Sequence, residues 1–106
     1  SKAMLNEHPA FLVGNFKVND PVLMAEYGRN AAPLVEKYGG KMVISADALN
    51  VVEGQAQPIL VIIQFPDIDK ANAFYHSGEY APLKQLRIQA TSGGFLAVTQ
   101  GLPTYI

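Results

Sequence analysis

Residues 65–80 constrain the fold of this chain more than any other stretch, because a hydrophobic strand ends there and two helices begin. The strand stops at Pro66, which has no backbone N–H to donate to a neighbouring strand. Either Asp67 or Asp69 is placed to cap a short helix, and Ser77 restarts the chain into a second one. The segment therefore predicts a strand followed by two short helices.

The rest of the chain alternates between strand and helix patterns. Asp20 and Pro21 start a long helix as N-cap and first helical residue, and Gly39-Gly40 ends it. Pro33 lies inside this helix and is expected to kink or split it, since it removes one backbone hydrogen bond. The order β-α-β-β-α-β predicts an α+β, ferredoxin-like fold with a four-stranded antiparallel sheet. The predicted strands are residues 10–18, 41–52, 58–65 and 95–100, with a loop at 91–94.

Both faces of the predicted sheet are apolar. In the strand 58–65, Leu60 and Ile62 point to one face, and Val61 and Ile63 point to the other. The helices cover one face, so the second face would expose large side chains, each worth roughly 1.5–3 kcal/mol when buried. We predict a homodimer that packs sheet on sheet. The alternative is that the C-terminal tail covers this face within its own subunit.

Composition excludes several classes of function. A net charge of −1 gives no electrostatic reason to expect binding to nucleic acid or to an anionic membrane, and the longest apolar run, residues 59–63, is far too short to span a bilayer. The chain has no cysteine, so it has no disulfide, thiol nucleophile or thiolate metal ligand. We expect one cytoplasmic domain over residues 1–106. Its N-terminal arm would be residues 1–9, with residues 1–3 a remnant of cloning, and its C-terminal tail residues 101–106.

Several short motifs together resemble the family called domain of unknown function 1330 (DUF1330). The resemblance covers about residues 10–100 and implies a dimeric α+β barrel, in which two ferredoxin-like units pack their sheets back to back. The wider superfamily includes cofactor-independent monooxygenases, haem-degrading enzymes, isomerases and stress-responsive barrel proteins, and the fold does not choose among them. The motifs are Asp20-Pro21, Tyr27, Pro33, Gly39-Gly40, Glu53-Gly54, Phe65-Pro66, Ala71, Phe74-Tyr75, Ser77, Glu79-Tyr80 and Leu83-Lys84.

His76 and Tyr80 are two candidates for chemistry. His76 would suit acid–base catalysis at neutral pH, or it is an exposed histidine at a helix end. Tyr80, like Tyr27 and Tyr75, offers an apolar ring with one polar tip that would orient a phenolic or carbonyl ligand. The alternative for all three tyrosines is a place in the core with satisfied hydroxyls.

Asn15 and Arg87 are the other two candidates. Asn15 is a polar residue on an apolar strand, so it either lines a cavity or bonds to Gln64 or to an edge of the sheet. The resemblance favours the cavity, since monooxygenases of the superfamily use an asparagine from the first strand. Arg87, with Arg29 and Asn30, would hold a carboxylate. The alternative for Arg87 is a structural ion pair with Glu79, Glu53 or Asp47.

These residues support two functional hypotheses. The first is a small-molecule-binding barrel with an apolar pocket between helices and sheet, possessing cofactor-independent monooxygenase- or isomerase-like activity on a small organic substrate. The second is a non-catalytic structural or stress-responsive dimeric module whose pocket is filled by side chains. We predict no haem or metal cofactor, because the haem-degrading relatives use a tryptophan and a histidine where this chain has Phe74 and Lys84. A protonated lysine has no lone pair for iron.

Overall fold

The computed structural model of the chain describes residues 7–104. The sheet is four-stranded and antiparallel, in the order β2-β3-β1-β4. This arrangement confirms the predicted ferredoxin-like fold, with the second helical segment divided in two. The elements are β1 (Ala10–Val18), α1 (Pro21–Lys37), β2 (Lys41–Ala46), β3 (Ile59–Phe65), α2 (Ile68–His76), α3 (Ala81–Ala90) and β4 (Thr91–Gln100).

The predicted caps begin the helices. The Asp20 side chain accepts a hydrogen bond from the backbone N–H of Leu23 at 3.0 Å, and Pro21 opens α1. The Asp67 side chain accepts from Lys70 N–H at 2.8 Å, so Asp67 rather than Asp69 caps α2. Each cap satisfies a backbone donor that the first helical turn leaves without a partner.

Ser77 ends α2 and starts the next helix. Its hydroxyl donates to the Phe74 carbonyl at 2.9 Å and accepts from Tyr80 N–H at 3.1 Å. One side chain therefore closes the last turn of α2 and positions Tyr80 as the N-cap of α3. The predicted restart at Ser77 is confirmed.

Pro33 does not split α1, which runs as one helix to Lys37. Pro33 and Arg29, four residues earlier, are both exposed. The Arg29 carbonyl that loses its helical donor is therefore accessible to water, which lowers the cost of proline inside the helix.

Three strand boundaries differ from prediction, of which the start of β3 at Ile59 rather than at residue 58 is the smallest. β2 ends at Ala46 rather than at residue 52, because Ala46 pairs with Leu60 and β3 itself begins only at Ile59. Beyond the ladder, Leu49 N–H donates to the Pro58 carbonyl at 2.9 Å, outside both strands. β4 begins at Thr91, so residues 91–94 are strand rather than loop.

Two glycines allow β4 to begin early. Gly93 and Gly94 have φ of 73° and 69°, and the β1–β4 register shifts between Asn15 and Lys17 opposite them. A β-bulge at these glycines therefore keeps the segment in the sheet, although the sequence predicted a loop there.

Aromatic residues form the core between the sheet and the two shorter helices. Phe65, Phe74 and Tyr80 are fully buried. The Phe74 ring centroid lies 5.5 Å from that of Phe65 and 4.6 Å from that of Tyr80. This packing anchors α2 and the start of α3, and it places the Tyr80 side chain toward α1.

The opposite face of the sheet, called the outer face below, carries two rows of mainly apolar side chains, the second of which includes Asn15. One row is Ile44, Ile62, Val13 and Ala97, which are register partners across all four strands. In the next row Phe95 is 54% exposed, and in the first row Ile44 is 42% exposed. The prediction that both faces are apolar is confirmed.

The C-terminal segment pairs with the N-terminal arm. Gly101 N–H donates to the Pro9 carbonyl and Thr104 N–H to the Glu7 carbonyl, each at 2.7 Å. Leu102 points into solvent and is 85% exposed. The tail residues 105–106 lie outside the described part of the chain, as do residues 1–6 of the predicted arm.

Candidate functional site

A cavity of about 450 Å³ lies between α1 and the sheet. Its volume falls within the range of roughly 300–1,000 Å³ that is usual for small-molecule sites. We call it the α1 cavity. It is lined by Leu12, Gly14, Phe16, Met24, Tyr27, Gly28, Ala31, Ala32, Val35, Glu36, Gly40, Lys41, Met42, Val61, Ile63, Arg87 and Leu96.

Small residues of α1 that line this cavity leave it unfilled. Gly28, Ala31 and Ala32 line it with at most one side-chain carbon each. A Cβ added at Gly28 would meet no heavy atom within 4 Å. On the sheet below, Gly14 also has no side chain, and a Cβ there would lie 3.2 Å from Leu96. The space therefore results from the choice of residues on both walls.

One end of the α1 cavity is polar and is built from three residues of two helices. Tyr27 and Arg87 line the cavity, and Tyr80 lies fully buried behind them. The hydroxyls of Tyr27 and Tyr80 are 2.7 Å apart, and Arg87 Nε donates to the Tyr80 hydroxyl at 3.3 Å. The Tyr27 and Tyr80 rings meet edge to face with centroids 6.3 Å apart. We call this group the Tyr27–Tyr80–Arg87 network.

The network holds Tyr27 in its neutral form. Burial raises the pKa of the Tyr27 hydroxyl well above its ordinary value, the neighbouring Tyr80 raises it further, and Arg87 acts in the opposite direction. A neutral hydroxyl both donates and accepts hydrogen bonds, so Tyr27 is suited to orienting a ligand oxygen rather than to removing a proton.

Arg87 does not form the structural ion pair that was its alternative role. Its side chain is half-buried, and within residues 7–104 no carboxylate lies within 4.0 Å of its guanidinium. Glu79, one of the expected partners, pairs instead with Lys37 at 2.7 Å on the surface. Glu79 also raises the pKa of Lys37, through a hydrogen bond and its charge.

Asn15 is 5% exposed, but it is not among the residues that line the α1 cavity. Its amide nitrogen donates to the carbonyls of Gln57 and Ile59 at 2.9 and 2.7 Å, and its oxygen accepts from Gln57 N–H at 3.0 Å. The partners of Asn15 are therefore neither Gln64 nor an edge strand, but the backbone just before and at the start of β3, a central strand of the sheet. A catalytic role for Asn15 stays a prediction, and Asn15 does not line the α1 cavity.

His76 lies at the exposed end of α2 and is not a lining residue of the α1 cavity. Its ring packs edge to face on Tyr75, with centroids 5.0 Å apart. Arg29 and Asn30 are exposed as well, and Asn30 donates to the Glu26 carbonyl at 2.9 Å. Arg87 is thus the member of the predicted anion-binding group that reaches the cavity.

The sequence alone did not identify the small residues that create the cavity or the two oppositely charged residues at its far end. Glu36 and Lys41 line that end, where α1 gives way to β2. A signal was present, since Gly28 and Ala31 fall where a filled core would require large side chains.

No combination of three or more histidine, aspartate and glutamate side chains suited to a metal ion occurs within residues 7–104. Within that same range no helix has the length and apolarity needed to span a membrane.

The antiparallel sheet, the helices on one of its faces and the open space under α1 define a ferredoxin-like α+β protein with a ligand-sized cavity. The chain belongs to the DUF1330 family, described as a domain of unknown function, whose sequence pattern matches residues 9–101. The family resemblance is thereby confirmed. No curated protein matches the chain in sequence.

Solved structures share this fold at low sequence identity. A protein of unknown function from Rhodopseudomonas palustris has a TM-score of 0.72 and 19% identity over 91% of this chain and 84% of its own. A dimeric protein of unknown function and ferredoxin-like fold from Bacteroides fragilis has a TM-score of 0.54 and 16% identity, over 90% and 95%. A proposed antibiotic biosynthesis monooxygenase from Caulobacter crescentus has a TM-score of 0.53 and 12% identity, over 93% and 92%. These similarities establish the fold.

Proposed function

We propose that this protein binds a small organic molecule in the α1 cavity. The observation that carries the proposal is that the cavity is not filled by side chains, although apolar residues of all four strands and of α1 line it. An apolar cavity of this size with polar groups at one end is the common form of a small-molecule site. A non-catalytic module whose residues only complete the core would not need this space.

A cavity-filling variant tests the proposal. Gly28→Leu/Ala32→Leu places two larger side chains in the α1 cavity, and Ala25→Leu is the control, at an exposed residue of the same helix that does not line the cavity. Native mass spectrometry and a thermal-shift ligand screen are run on protein purified without any step that removes bound ligands. Ligands should bind the wild type and Ala25→Leu and should be lost from the double variant. Equal binding by all three proteins would place the ligand elsewhere and refute the proposal.

We further propose that the cavity supports cofactor-independent chemistry of the monooxygenase or isomerase type. The proposal is supported by the Tyr27–Tyr80–Arg87 network, whose donors suit a carbonyl or phenolic oxygen, and by the fold shared with the Caulobacter crescentus protein. In the assay, the ligand is incubated with the protein in air and then extracted, and the fraction converted to product is measured. Conversion should fall in Tyr27→Phe and Arg87→Gln. Ligand returned unchanged by the wild type would favour the alternative, a non-catalytic binding module.

We propose also that two copies pair through their outer faces. The support is the exposed apolar rows of the outer face, together with the same fold in a protein from Bacteroides fragilis described as dimeric. Sheet-on-sheet packing would remove these side chains from water, which is the dominant favourable contribution to most protein association.

A further inference from the structure

We infer that the ligand class of the α1 cavity is a monocarboxylic acid with a narrow apolar body, whose carboxylate lies on Arg87. This inference rests on the proposed function, because it assigns chemistry to the same cavity.

Arg87 is a half-buried cation at the end of an apolar cavity. A buried charge is costly unless it is paired or hydrogen-bonded, and no carboxylate in residues 7–104 lies within 4.0 Å of it. Its Nε donates to the Tyr80 hydroxyl at 3.3 Å, so that hydrogen bond uses one of the five guanidinium donors. The two terminal nitrogens carry the remaining donors, in the fork geometry that matches a carboxylate.

The tyrosines add a further donor at the same end. Tyr80 already accepts from Arg87, and either hydroxyl can donate in the Tyr27–Tyr80 pair. When Tyr80 donates to Tyr27, the Tyr27 proton is left for a ligand oxygen in the cavity that Tyr27 lines. Arg87 and Tyr27 then both present hydrogen-bond donors to one anionic group, an arrangement that favours a carboxylate over a neutral amide.

The rest of the cavity selects the body of the ligand. Tyr27 and Glu36, which line its two ends, are nine residues apart on α1, or about 13 Å at 1.5 Å per residue. Between them the lining is apolar. Glu36 and Lys41 at the far end carry opposite charges, so that end has no net preference for a second anion. One carboxylate followed by an apolar body of up to about 13 Å satisfies these constraints.

A matched pair of probes tests this inference, namely 4-phenylbutanoate and its primary amide. Dissociation constants are measured by isothermal titration calorimetry for the wild type, Arg87→Gln, Arg87→Lys and the exposed-arginine control Arg29→Gln. The wild type and Arg29→Gln should prefer the carboxylate by about tenfold or more. Arg87→Gln should lose this preference while still binding the amide, and Arg87→Lys should keep part of it. Thermal melts confirm that each variant is folded.

The ratio of the two affinities within each protein separates the inference from the proposed function. If the wild type binds both probes equally and the cavity-filling variant binds neither, the small-molecule site stands and the carboxylate assignment is wrong. If the preference persists unchanged in both Arg87 variants, the carboxylate lies elsewhere and the assignment is again wrong. If neither probe binds the wild type, the assignment fails, while the unbiased ligand screen separately decides the proposed function.

Discussion

The Tyr27 hydroxyl is withdrawn from water between α1 and α3, where it meets the Tyr80 hydroxyl at 2.7 Å. Its pKa is raised in the folded protein by burial, whereas in the unfolded chain it ionises at about pH 10. Above about pH 10 the unfolded state releases this proton and the folded state keeps it. The free energy of unfolding should therefore fall with pH, by up to about 1.4 kcal/mol per pH unit from this one group.

Tyr27→Phe should make that alkaline slope shallower. Urea unfolding of the wild type and the variant between about pH 8 and pH 11 measures it, with the slope above pH 10 as the diagnostic quantity. The raised pKa of Lys37 adds a loss of stability in the same direction, but the Lys37–Glu79 pair is present in both proteins. Identical slopes would show that the Tyr27 hydroxyl is not shielded from water.

Gly94 is a second residue at which the backbone decides the outcome. Its φ is 69°, and a Cβ there would overlap the backbone carbonyl of Asn15 on β1. Gly94→Ala should therefore cost at least about 2 kcal/mol and lower the melting temperature by at least about 8 °C. Gly78→Ala is the control, because no heavy atom lies within 4 Å of a Cβ at Gly78 and its φ is not positive. Equal melting temperatures for the two variants would mean that the bulge in β4 relaxes freely.

At the scale of the elements, boundaries set by local chemistry were predictable. Asp20, Asp67 and Ser77 bond to backbone groups no more than three residues away, and such signals are present in the sequence itself. The end of β2 and the start of β4 depend instead on which residues lie across the sheet. Ala46 ends β2 because Leu60 is its partner, a relation that no local pattern contains.

The site was predictable by residue type but not by arrangement. Tyr27, Tyr80 and Arg87 could each be named as candidates, since hydroxyls and a guanidinium suit ligand binding. Their contact joins residues 53 positions apart in the chain, so it follows from the packing of α1 on α3. The sequence likewise could not show whether Arg87 is paired with Glu79. In the fold, Glu79 forms its ion pair with Lys37 on the surface.

The C-terminal segment provides a test of how the chain ends support the sheet. Backbone bonds join Gly101 to Pro9 and Thr104 to Glu7, and the His8 ring nitrogen Nδ1 lies 2.9 Å from the Gly101 carbonyl oxygen. Deleting residues 101–106 should lower the melting temperature by about 4–8 °C, the shift expected for a loss near 1 kcal/mol in a domain of this size. Leu102→Ala keeps the backbone bonds and should change the melting temperature little. An unchanged melting curve after the deletion would show that these bonds contribute nothing.

At the scale of the whole molecule, the outer face is the surface through which we propose that two copies pair. The row of Ile44, Ile62, Val13 and Ala97 is apolar across all four strands, the next row is interrupted by Asn15, and the helices lie on the other side of the sheet. If two copies pair there, light scattering at micromolar concentration should give a mass of about 23 kDa, twice the 11.5 kDa of one chain. A single species of 11.5 kDa would contradict the homodimer.

The same valine-to-glutamate substitution at two positions compares the effect of a charge on the outer face with its effect elsewhere on the surface. Val13 is half-buried in the central row of the outer face, whereas Val52 is 85% exposed in the segment between β2 and β3. Val13→Glu would place a charge inside the proposed interface, where desolvation costs several kcal/mol, so the dimer should give way to aggregated or unfolded protein. Val52→Glu should keep the wild-type mass and melting temperature. A Val13→Glu protein that stays a stable dimer would show that the two copies pair through another surface, and the outer face would then need a different explanation for its apolar rows.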